Sequence, residues 1–124
     1  MNFLSLFRHR KDLVGYAPGE VIYAQGAPAD SLFVIVAGEV ELSLHGKPIA
    51  TEGEGGIIGE MALLDSATRN STATARSVVE LAKLDRIQFQ KLIGENAEFA
   101  LRAMTALANR LRAVDKFIVA SLDK

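Results

Sequence analysis

Between Gly53 and Arg69 the chain gathers residue types that suit one kind of chemistry, the capture of an anion. Gly53, Gly55, Gly56 and Gly59 precede a short run of good helix formers, Glu60 to Leu64, and Arg69 follows a polar turn. Glycine lets backbone approach a ligand closely. The start of a helix offers unpaired N–H groups and a partial positive charge. Arg69 can add a bidentate guanidinium fork to the same anion. The pattern describes a phosphate cradle, although the same spacing serves equally well as a surface turn with one solvated arginine.

Other chemistries find little support. The chain has no cysteine, which removes disulfides, thiolate nucleophiles and cysteine-ligated zinc and favours a reducing cytoplasm. Its two histidines, His9 and His45, sit apart, in a basic N-terminal group and at a hairpin tip. A metal-dependent barrel needs them clustered. No serine stands in a nucleophile elbow, and Glu52 and Glu54 flank Gly53 as loop residues, so no enzyme is expected. A net charge of -1 argues against nucleic acid as a partner. The apolar runs are too short for a bilayer, and Arg8 to Lys11 follow rather than precede the N-terminal apolar residues, the wrong order for a secretory signal.

The elements that would position the stretch are mostly short strands. With 124 residues, 49% hydrophobic and 23% charged, the chain fits one globular domain over 1–124. Asn2 to Arg10 is expected to form a short helix with Phe3, Leu6 and Phe7 on one face. Strands are expected over Glu20 to Ala24, Leu32 to Val36, Val40 to Leu44 and Ile49 to Thr51, then over Thr72 to Glu80 and Leu81 to Leu84. His45 to Pro48 reads as a tight hairpin turn. Many short strands separated by glycine and proline point to a sandwich or small barrel.

After Asp85 the period changes. Ile87, Phe89, Leu92 and Ile93 suit a short helix stopping at Gly94, and Asn96 can cap a longer one running to about Ser121. Ala100, Met104, Leu107, Leu111, Val114, Ile118 and Leu122 recur at steps close to a heptad. A helix of roughly 35–40 Å is longer than one small barrel needs for cover. Its first turns, with Phe99 and Leu101, are expected to pack on the barrel, and the part from Leu107 onward to form a homodimer seam.

Taken together, the run Gly19 to Phe33, the triplet Gly38-Glu39-Val40, and Gly59 to Leu64 followed by Arg69 to Ala73 resemble the cyclic-nucleotide-binding domain family, of the catabolite-activator or cAMP-receptor type. The resemblance runs from about Leu6 to about Arg112. It implies a mainly β fold with α: an eight-stranded jelly-roll β-barrel over about 13–85, a short N-terminal helix, a phosphate-binding cassette helix at Glu60 to Leu64, and two C-terminal helices. It further implies that Arg69 binds the cyclic phosphate and Glu60 the ribose 2′-hydroxyl, with backbone near Gly59, Met61 and Ala62 facing the sugar-phosphate. Asn70 and Ser71 complete the implied ligand set, and Leu107 or Leu111 would cap the base. Two positions depart from the family. Thr68 stands where a proline is common, and Asn70 stands where a small or hydroxyl residue bears on the choice of adenine or guanine.

The expected function is a stand-alone cytoplasmic regulatory domain that binds cAMP or cGMP. Its hinge and long helix (about 86–121) would move on binding and signal to a separate effector protein. The rival expectation is a degenerate relative that binds no nucleotide, in which Glu60 and Arg69 only hold each other, and which serves as a dimerisation or interaction module.

Overall fold

A computed structural model describes residues 3–61 and 68–122. A 3-10 helix, Phe3–Leu6, is followed by eight strands: β1 Val14–Tyr16, β2 Val21–Tyr23, β3 Ser31–Ala37, β4 Val40–Leu44, β5 Lys47–Glu52, β6 Ile57–Ile58, β7 Thr72–Ala75 and β8 Val79–Asp85. Two helices close the chain, α1 Arg86–Glu95 and α2 Ala97–Leu122. The strands form two four-stranded antiparallel sheets, ordered β1-β8-β3-β6 and β2-β7-β4-β5: the eight strands that the resemblance implied, laid out as two sheets, one of the two architectures the strand pattern allowed, rather than as a closed barrel. In the described pairing β1 and β6 are the edges of the first sheet, and β2 and β5 those of the second.

β3 explains the arrangement. It is apolar after Ser31, and its alternate residues serve two cores. Phe33 and Ile35 pack between the sheets with Val40, Leu42, Ile58, Ala73 and Leu81. Leu32, Val34 and Val36 point the other way, onto Phe3, Phe7, Phe89 and Phe99 beneath the helices. Phe99 sits edge-on to Phe3 at 5.7 Å and to Phe89 at 5.9 Å, so one ring joins the N-terminus, α1 and α2 to the sheet.

Several boundaries differ from expectation. The N-terminal turn buries Leu4 and leaves Leu6 half exposed, because a 3-10 turn has three residues and shifts the inward face. Thr72 to Glu80 is not one strand. The chain bends at Arg76 to cross between sheets, with the Arg76 amide donating to the Glu39 carbonyl at 2.9 Å. α1 runs through Gly94 to Glu95 and ends where Asn96 turns extended. The Asn96 side chain then caps α2, accepting from the Phe99 amide at 2.9 Å. The hairpin at His45 and Gly46 has φ of 51° and 79°, the left-handed pair that a two-residue turn requires.

α2 carries two lines of side chains. Phe99, Ala103, Ala106 and Arg110 face inward and are buried. The heptad stripe lies one position round the helix, and in it Met104, Leu111, Ile118 and Leu122 are exposed. Leu101 is exposed too and does not pack on the sheets.

Gly38 joins β3 to β4 at φ +92°, and a Cβ there would meet the Val78 carbonyl oxygen at 2.2 Å. The obstacle is backbone and cannot swing aside. Gly38→Ala is expected to cost at least about 2 kcal/mol of stability, read as a lowered urea midpoint with an unchanged slope. An unaltered midpoint would show that the β3–β4 connection adapts freely.

Candidate functional site

The sheets bring both ends of the glycine-to-arginine stretch together. β6 stops at Ile58, and Gly59 turns the chain at φ +78°. A Cβ on Gly59 would lie 2.5 Å from Arg69 Nη1, so backbone angle and neighbouring guanidinium both call for glycine. The Arg69 amide donates to the Ala27 carbonyl at 2.9 Å, and its carbonyl accepts from the Gly26 amide at 2.8 Å. Thr68, at the position where the family commonly has proline, forms an isolated antiparallel bridge with Pro28.

Arg69 is 6% exposed. Its Nη1 donates to the Ser31 carbonyl at 2.6 Å and the Gly59 carbonyl at 3.4 Å, and its Nη2 to Ser31 Oγ at 3.4 Å. The guanidinium lies over the Tyr23 ring, 4.3 Å from its centroid. Its Nε is buried with no hydrogen-bond partner among the described residues. Burial pulls the Arg69 pKa down, with Tyr23 and Asp30 opposing, and the group stays cationic at neutral pH.

Glu60 is 1% exposed, and its ionic partner is Arg110 rather than Arg69. Arg110 reaches in from α2 to Glu60 Oε1 at 3.5 Å and Glu52 Oε1 at 3.4 Å, and donates to the Ile57 carbonyl at 3.1 Å. The Glu60 contact is an ion pair without hydrogen-bond geometry, and Oε1 has no hydrogen bond among the described residues. Burial pushes the Glu60 carboxyl above the usual carboxylate range, and Arg110 offsets only part of that rise. Burial pushes the Tyr23 phenol up as well, reinforced by the charge on Glu60.

A cavity of about 470 Å³ adjoins these groups. Arg69, Asn70, Ser71 and Arg110 line its polar part, and Leu44, Ile49, Met61, Leu111 and Val114 its apolar part. That volume and that mixture suit a small organic anion. A smaller polar pocket shares Met61, Arg69, Asn70, Ser71 and Arg110 with it and adds Tyr23, Gly59 and Glu60. Of the residues singled out in the sequence, Gly59, Glu60, Met61, Arg69, Asn70, Ser71 and Leu111 therefore converge. Ala62 lies outside the described residues. Leu107 instead lines a separate cavity of about 400 Å³ with Phe89, Ile93 and Met104. Among the described residues no cluster of His, Cys, Asp or Glu is arranged to hold a metal, and no helix is long and apolar enough to cross a membrane.

Sequence reasoning missed Tyr23, Val114 and Arg110. A signal existed for the last. Phe99, Ala103, Ala106 and Arg110 recur at helical spacing, which puts a charge on the core-facing side of α2.

The Glu60 shift has a definite sign. The unfolded carboxyl ionises near 4.5 and the folded one higher, so between the two the folded state holds more protons. Stability contributed by the protonated form is full below 4.5 and is lost as pH rises through the folded value. Glu60→Gln is expected to remove this component. The stability difference between wild type and variant, from urea titrations at a series of pH values, should shift in the variant's favour from below 4.5 to neutrality. Parallel pH profiles would show that ionisation of Glu60 costs the fold nothing.

Comparison with known proteins agrees with this geometry. The family model described as the cyclic nucleotide-binding domain matches residues 13–96. The chain is 34% identical over 103 residues to the cAMP-dependent protein kinase regulatory subunit of Emericella nidulans, covering 77% of this chain and 25% of that protein. It is 27% identical over 104 residues to the CRP-like cAMP-activated global transcriptional regulator of Mycobacterium tuberculosis, covering 80% of this chain and 46% of the regulator. Both are named for regulation rather than catalysis, and the chain spans less than half of either. Among solved structures, the catabolite activator protein of Thermus thermophilus superposes with a TM-score of 0.71 at 30% identity, over 94% of this chain and 55% of that one. By its two-sheet fold and by these matches, the chain belongs to the cyclic nucleotide-binding domain family.

Proposed function

We propose that the chain is a regulatory, non-catalytic domain that binds a cyclic nucleotide, cAMP or cGMP. One observation carries this reading. Two buried polar atoms, Arg69 Nε and Glu60 Oε1, lack hydrogen-bond partners among the described residues, and both side chains line one pocket. The cationic atom asks for an anion and the anionic one for a hydroxyl donor. A cyclic nucleotide supplies both, as its phosphate and its ribose 2′-hydroxyl, and its base suits the apolar part formed by Leu44, Ile49, Leu111 and Val114. Gly59, Met61, Ala62, Asn70 and Ser71 complete the ligand set; of the cassette helix expected over Glu60 to Leu64, the part after Met61 lies outside the described residues.

The rest of the reading concerns movement and partners. Residues 1–124 act as one domain in the cytoplasm. Arg110 ties α2 to Glu60, so ligand at Glu60 alters what holds α2. α2 then pivots about the region 86–94 and passes the signal to a separate effector. This works only if the ligand prefers one helix position over the other. The exposed stripe of α2 pairs with that of a second copy. The degenerate reading draws on the internal partners of Arg69 and Glu60, namely Ser31 and Arg110. The two unpartnered atoms and the open cavity weigh against it.

Calorimetric titration with cAMP and cGMP tests the ligand. Arg69→Ala is expected to weaken binding at least about tenfold to a hundredfold, the loss of a charge-assisted contact worth about 1.5–3 kcal/mol. No heat and no melting shift with either nucleotide at millimolar concentration would overturn the reading. For the seam, Met104→Glu combined with Ile118→Glu is expected to weaken self-association by at least about tenfold in sedimentation equilibrium. A wild-type chain that stays monomeric at high concentration would remove the dimer from the proposal.

A further inference from the structure

Tyr23 ends β2, an edge strand, at a place where the ladder slips. Val21 pairs with Thr74 but Tyr23 with Ala73, so two steps on β2 meet one on β7. Such a bulge re-aims a side chain, and here it leaves Val21 exposed while Tyr23 lines the polar pocket. The Tyr23 ring lies 4.3 Å from the Arg69 guanidinium carbon. Phe33 lies beside it at 6.2 Å with the ring planes 17° apart, and its own ring is 5.6 Å from the same guanidinium carbon. Ser71 lines the same pocket as Tyr23.

This arrangement fixes what the other contacts of Arg69 leave loose. Ser31 and Gly59 take up Nη1 and part of Nη2, all from the edge of the guanidinium. Contacts along one edge leave the plane free to tip about that edge. A ring against the face removes the tilt, and its quadrupole attracts the cation. The Nε edge is the one left without a partner among the described residues, on a side chain that lines the pocket.

We propose that Tyr23 is the positioning residue of the anion site: its ring, rather than its hydroxyl, holds the Arg69 guanidinium in the plane that offers Nε to the ligand phosphate. The inference rests on the reading that Arg69 binds a cyclic phosphate. It concerns a different element, the bulged edge strand, which makes the quality of the anion site depend on the β2–β7 register.

The test joins affinity to a direct view of the guanidinium. Tyr23→Leu is expected to weaken cAMP binding roughly three- to thirtyfold, while Tyr23→Phe stays within about twofold. In nitrogen-15 correlation spectra, the Arg69 Nε–Hε signal is identified by its loss in Arg69→Lys. It should be sharp and ring-shifted in wild type and in Tyr23→Phe, and should broaden toward the free-arginine position in Tyr23→Leu. Tyr23→Met, of similar volume and without a ring, carries the same expectation should the leucine variant not fold. If Tyr23→Leu or Tyr23→Met keeps both the affinity and the signal, the positioning role is overturned while Arg69 stays the anion ligand. If Tyr23→Phe loses as much as Tyr23→Leu, the hydroxyl acts and the ring proposal is overturned. If saturating cAMP neither moves the wild-type signal nor gives heat, the anion-site reading fails and this proposal with it.

Discussion

Among the described residues three charged side chains, Glu60, Arg69 and Arg110, are buried in a largely apolar interior. Removing a charge from water costs several kcal/mol unless partners replace the lost hydration. Much of the surrounding structure meets that requirement. Ser31 at the start of β3 and the carbonyl of Gly59 serve Arg69. Glu52, Glu60 and the Ile57 carbonyl serve Arg110. The compensation is incomplete at two atoms only, Arg69 Nε and Glu60 Oε1, among the described residues. A site that satisfies its charges internally is inert, and one that leaves opposite charges short by one partner each is prepared for a ligand.

β3 links this site to the rest of the fold. Its residues alternate between two cores, so its position is set from both faces. Ser31 at its start therefore offers Arg69 a fixed acceptor, and Phe33 packs beside Tyr23 and near the same guanidinium. On the far side, Phe99 seats α2 against the same sheet and so determines how far Arg110 reaches. The fold and the site share their supports.

α2 makes the site sensitive to movement. Its inward line ends in a charge rather than in another alanine, and that charge meets Glu60. Any shift of the helix must stretch or remake the Arg110 contacts, and any change at Glu60 alters what holds the helix. The apolar stripe on the same helix, adjacent to that inward line, is largely exposed.

Much of this was legible in residue order. The period-2 runs and turn glycines located most strands, Asn96 announced the start of α2, and the glycines before Glu60 with Arg69 after it marked a stretch whose ends line one pocket. These features depend on neighbours a few residues apart, where chirality, turn angles and side-chain period act directly. What the order of residues left open was pairing across the chain. Glu60 and Arg69, nine positions apart, looked like partners, yet Glu60 meets Arg110 from another element and Arg69 meets Ser31. Leu107 and Leu111 read alike as apolar helix positions, and only the seating of α2 sends one to the cavity and the other to a separate groove. Local sequence determined which groups could carry charge or line a pocket. Tertiary structure decided which of them share a buried space, because the cost of isolating a charge depends on everything packed around it.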